Sequence, residues 1–136
     1  MLANARVTAV IPATDLQRAR SFYEDKLGLK PLDMDYSEEA VMYEYGGSTR
    51  LYVYRRSEPT KAEHTAALFE VDDLEGRVDD LRRRGVSFEH YDRPGIVTDD
   101  RGIATKGNSK VAWFRDTEGN ILAIEHIAER AREAGH

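Results

Sequence analysis

The chain has 136 residues, 40% of them hydrophobic and 33% charged, which suits one domain with its own core and excludes an intrinsically disordered segment. Twenty Lys and Arg against 25 Asp and Glu leave a net charge of −5, so the field of the molecule repels nucleic acid and anionic membrane surfaces. No cysteine is present, which excludes disulfides, thiolate nucleophiles and Cys-based metal clusters.

In chain order, residues 6–12 form an apolar, β-branched run that predicts a strand closed by Pro12. Asp15 is placed as the N-cap of a helix in which Leu16, Ala19, Phe22, Tyr23 and Leu27 recur at helical spacing, and Gly28 is placed to end it. Three strand-like runs follow at residues 30–36, 40–45 and 50–55, with Gly46 and Gly47 turning the chain between the last two. A short charged connector at residues 57–63 leads to the same order again: a strand over 65–71, a cap at Asp73, a helix over 74–84, Gly85, and a strand over 86–90. This internal repeat is the main organisational feature. Residues 91–108 mix glycines, prolines and acids with little apolar matter and predict a long functional loop with at most one irregular strand. Residues 110–114 and 121–126 predict a hairpin around the turn Asp116-Thr117-Glu118-Gly119-Asn120, and residues 128–134 a fraying terminal helix. The first residues lack the apolar length of a signal peptide, and no run approaches the roughly 18 apolar residues of a membrane span, so a cytoplasmic protein is expected.

Together these elements predict an α+β fold of two tandem βαβββ modules in a single domain over residues 1–136. Module one covers about 5–56, module two about 64–126, and a tail 127–136. Thr14-Asp15-Leu16 leading to Phe22-Tyr23 and Leu27-Gly28-Leu29, its echo from Val71-Asp72-Asp73-Leu74 to Gly85-Val86, and the ending from Trp113 to Asn120 resemble the vicinal oxygen chelate superfamily. That superfamily includes glyoxalase I, bleomycin-resistance proteins and extradiol dioxygenases. The resemblance implies two modules whose sheets curl into a half-open barrel around a pocket, commonly as a homodimer; one such scaffold hosts several chemistries.

The resemblance also implies metal-ligand positions, one on the first and one on the last strand of each module. Counted from Asp15, Asp73 and Asp116, they fall on Thr8, Ala66, Tyr52 and Ala123. Alanine has no donor atom, and neutral Thr and Tyr are poor ligands where His and carboxylate are expected. His64 and Glu125 are neighbours of two of these positions, but on parallel strands they would stand roughly 13 Å apart, too far to share an ion. No metal and no cofactor are therefore expected.

Other chemistry-bearing patterns are sparse. There is no GxSxG, no phosphate-cradling glycine loop and no HExxH. Tyr36, Tyr43, Tyr45, Tyr52, Tyr54, Phe69 and Trp113 either pack the core and a dimer seam or line a pocket for a flat or amphipathic ligand. On the pocket reading the ligand-binding residues are Thr8, Tyr52, Tyr54, Ala66, Trp113, Ala123 and Glu125. Asp116, Glu118 and Asn120 read as turn formers, and Arg82-Arg83-Arg84 as cations suited to a helix C-terminus. Two functions stand open: a metal-free module that binds a small organic molecule such as an antibiotic or metabolite, and a lyase, isomerase or dioxygenase, either metal-independent with Tyr52, His90 or Glu125 as acid or base or dependent on a divalent metal.

Overall fold

The structure, a computed structural model, describes residues 1–32, 39–45 and 49–128. The chain forms two compact units, Met1–Ala66 with Asp116–Asn120, and Ala67–Arg115 with Ile121–His136. Each is an α+β assembly in which an amphipathic helix accompanies a sheet.

In the first unit, β1 (Ala9–Ala13) pairs in parallel with β3 (Thr49–Arg55), and β2 (Ala40–Tyr45) pairs with β3 in antiparallel. Period-two alternation sends Ile11, Ala13, Leu51 and Val53 into the core, while Val10, Tyr52 and Tyr54 face the other way. Pro12 is tolerated inside β1 because that strand lies at the edge of its sheet, where a missing N–H breaks no central ladder. Helix α1 (Leu16–Ser21) starts where the Asp15 carboxylate accepts the Arg18 N–H at 3.0 Å. It continues as a π-helical turn, Phe22–Lys26, in which the Leu27 N–H reaches Phe22 O, and Gly28 at φ +77° lets the chain leave. Phe22 and Tyr23 are buried by this geometry.

The second unit repeats the cap: Asp73 accepts the Gly76 N–H at 3.1 Å and starts α2 (Leu74–Arg83), with Gly85 at φ +91° beyond its end. Its sheet runs in the order β4 (Thr65–Glu70), β9 (Ile121–Ile127), β8 (Ser109–Arg115), β7 (Ile103–Lys106). Ala112 and Phe114 of β8 with Leu122 and Ile124 of β9 are buried on one face of it. Burying each large side chain contributes about 1.5–3 kcal/mol against the exposed chain. The opposite face of β8 and β9 carries Ser109, Val111 and Trp113 with Ala123 and Glu125.

Two expectations need correction, and a third falls only partly on described residues. Of the predicted strand 30–36, the described part makes only an isolated bridge between Pro31 and Tyr43, and residues 33–36 lie outside the described residues, as do Gly46, Gly47 and the tail 129–136. The predicted strand 86–90 is likewise reduced to one bridge between Phe88 and Phe114. Residues 91–108, expected as a loop, contain a small hairpin, β5 (Asp92–Arg93) with β6 (Ile96–Val97), and the whole of β7. The hairpin turns at Pro94-Gly95, where proline sets the first turn residue and Gly95 takes φ +87° at the second.

Candidate ligand-binding site

The β5–β6 hairpin and the open face of the second unit's sheet bound a cleft of about 480 Å³, within the usual range for small-molecule sites. Register explains its lining. Ala104 and Lys106 of β7 lie opposite Val111 and Ser109 of β8, and Val111 lies opposite Glu125 of β9, so one sheet face presents them all. Ile96 and Val97 complete the apolar wall from the hairpin, and Val97 is 64% exposed.

Trp113 is fixed at one end of the cleft. Its ring meets Tyr91 edge-to-face at 5.4 Å, and the Arg93 guanidinium lies 4.9 Å over the Tyr91 ring. The Tyr91 N–H donates to Thr98 Oγ1 and the Thr98 N–H to Tyr91 O, closing the hairpin at its base. Burial, followed by the Glu89 charge, pushes the Tyr91 phenol above its ordinary value, so it stays neutral. Away from that stack, the Ser109 hydroxyl donates to Glu125 Oε2 at 3.1 Å and orients a half-buried carboxylate in the lining.

Trp113 and Glu125 of the expected site residues thus meet in one cleft. Ala123 shares their sheet face opposite Trp113 but is completely buried. Tyr52 and Tyr54 lie on β3 of the first unit, half-buried, with rings stacked 6.3 Å apart at 12°, beside Val10 and Pro12 of β1. Thr8 stands just ahead of β1, half-buried, and Ala66 is the half-buried second residue of β4. His90 is exposed and outside the cleft lining, and His64 is exposed ahead of β4. Tyr36 and the Tyr45 side chain lie outside the described residues. Ile96, Val97, Ala104, Lys106, Ser109 and Val111 escaped the sequence reading. Alternation with Trp113 marks Val111, and the Pro94-Gly95 dipeptide marks the hairpin.

Asp116, Glu118 and Asn120 do form a turn, with Gly119 at φ +88°, but they are buried and carry a polar network of the first unit. Asp116 accepts from the Tyr23 hydroxyl at 2.6 Å and from the Asn120 side-chain amide at 2.8 Å, while that amide also donates to Pro12 O. Glu118 accepts from the Thr14 and Asp15 N–H groups, the Thr14 hydroxyl and Arg18. Burial alone would raise the Glu118 carboxyl, but those donors outweigh it and hold it below its ordinary value. Burial and the Asp116 charge push the Tyr23 phenol far up, which keeps it a donor.

The model of the Glyoxalase/Bleomycin resistance protein/Dioxygenase superfamily matches residues 6–124. The chain belongs to this superfamily. Among solved structures, TnmS3, an antibiotic binding protein from Streptomyces sp. CB03234, is 20% identical with TM-score 0.69, covering 94% of this chain and 99% of its own. A putative glyoxalase family protein from Bacillus anthracis is 14% identical with TM-score 0.69, over 91% and 95%. A lactoylglutathione lyase from Agrobacterium tumefaciens is 22% identical with TM-score 0.60, over 90% and 93%. These likenesses show a shared fold. No curated protein matches the chain.

The superfamily's metal does not fit the residues present at its expected positions. Ala66 and Ala123 have no donor atom, Ala123 has no accessible surface, and Thr8 and Tyr52 are neutral oxygens. Among the described residues no group of three or more His, Asp and Glu side chains gathers to hold an ion.

Proposed function

We propose that this superfamily member binds a small, flat organic molecule in the cleft of its second unit and does so without a metal. The observation that carries the reading is Trp113 in the wall of an otherwise largely apolar cleft, with the Ser109–Glu125 pair as its oriented polar group. Such a site is built as a binding pocket usually is, with apolar area for affinity and few polar atoms for orientation. An antibiotic binding protein with the same fold supports sequestration of a drug-like molecule as the role. The stacked Tyr52 and Tyr54 offer a second aromatic surface of the same character on the first unit. A cytoplasmic location and a twofold dimer belong to this reading; no described helix is long and apolar enough to cross a membrane.

The test is a thermal-shift screen of planar aromatic metabolites and antibiotics with and without EDTA, followed by calorimetry on each hit. A ligand that binds the native fold raises the unfolding temperature by mass action. The expected hits survive chelation and are lost in Trp113→Ala. A hit that needs added divalent ion, or a reaction that chelator stops, would replace binding with metal-dependent catalysis.

A further inference from the structure

Resting on the ligand-binding reading above, we infer that the ligand of the cleft carries a cationic nitrogen that pairs with Glu125 while its flat body lies against Trp113. The other half-buried acids of the second unit meet protein cations: Glu75 meets Lys110 at 2.7 Å, Glu89 meets Arg115 at 2.6 Å and Asp80 meets Arg77 at 3.3 Å. Glu125 is different. It is half-buried in the cleft lining, its Oε2 accepts only the neutral Ser109 hydroxyl, and among the described residues no Lys, Arg or His pairs with it.

A carboxylate partly shielded from water and lacking a counter-charge gains when an incoming group supplies the positive end of a charge-assisted hydrogen bond. Ser109 leaves Oε1 free for that group and holds the carboxylate in one orientation, so little ordering remains to be done on binding. The rest of the wall is compatible with a cation. An indole is the best aromatic partner for one, and Arg93 already lies over the neighbouring Tyr91 ring. Lys106 also lines the cleft, but it is exposed at the end of β7, where water and salt screen it far more than they screen Glu125. The net charge of −5 further favours the approach of cations.

The experiment is calorimetric titration at neutral pH with three probes on one ring system: an aminoacridinium cation, neutral acridine and an acridine carboxylate. The cation should bind about tenfold tighter than the neutral probe, the size of one net charge-assisted hydrogen bond, and the anion weaker still. Glu125→Gln should bring the cation down to the neutral probe's affinity while shifting acridine itself by a clearly smaller factor, and Ser109→Ala should move the cation in the same direction by a smaller step. Added salt should erode the cation preference of the unmutated chain, which tests the inference even if a variant folds poorly. Equal binding of all three probes, or a cation preference that survives Glu125→Gln, overturns the charge inference and leaves the cleft reading standing. Failure of every probe to bind, or binding indifferent to Trp113→Ala, overturns both.

Discussion

The Tyr23 hydroxyl donates to Asp116 Oδ2 across 2.6 Å, with Tyr23 at 0% and Asp116 at 7% exposure. Asp116 also holds the Asn120 amide and the N–H groups of Glu118 and Asn120, so the tyrosine completes a carboxylate that is largely shut off from water. Tyr23→Phe keeps the ring and removes the donor, and should lower stability by about 1–3 kcal/mol in urea unfolding, the cost of leaving a buried acceptor short of a partner. Asp116→Ala should cost more, because it orphans several donors together.

Glu118 gives the first unit an acid-sensitive latch. Its folded carboxyl is held below its ordinary value despite burial, so its stabilisation is fully present above the unfolded glutamate value of about 4.3 and is lost as pH falls through the lower folded value. Urea midpoints measured downward from neutral pH should decline in that window. In Glu118→Gln the unfolding free energy should be lower at neutral pH and the decline shallower.

Trp113 is the chain's one tryptophan. Ligand entry should therefore shift or quench the whole tryptophan emission, and Trp113→Ala should weaken calorimetric affinity by about tenfold or more through lost aromatic area. Binding that leaves the emission unchanged would place the ligand elsewhere.

Gly95 sits at φ +87°, and nothing lies within 4 Å of a Cβ added there, so Gly95→Ala meets backbone strain and no steric clash. The expected cost is about 1–2 kcal/mol. It should appear as faster hydrogen exchange at the amides of Tyr91 and Thr98 that close the hairpin, together with weaker ligand binding, with little change at the β8 and β9 amides.

Much of this architecture was legible in the sequence because local chemistry specifies it. Asp15 and Asp73 cap as their positions require, and Gly28 and Gly85 adopt the positive φ that helix ends favour. Trp113 and Glu125, both expected among the ligand-binding residues, line one cleft on one sheet face. The errors arose where long-range context decides. Asp116, Glu118 and Asn120 have turn-forming composition, and nothing local reveals that Tyr23, Thr14 and Pro12 lie against them and bury them. The strand-like run 86–90 has one bridge because pairing depends on a partner strand that a window of sequence does not contain. Val97 and Ile96 enter the cleft on a hairpin two residues deep, shorter than any periodicity can report.

Because the first unit takes in Asp116–Asn120, it is not a continuous stretch of chain. During synthesis its Thr14 and Asp15 amides have no carboxylate to meet until residue 118 has left the ribosome, so the N-terminal half cannot finish folding ahead of the rest. A fragment ending at residue 66 would lack those acceptors and should be recovered as an incompletely ordered polypeptide.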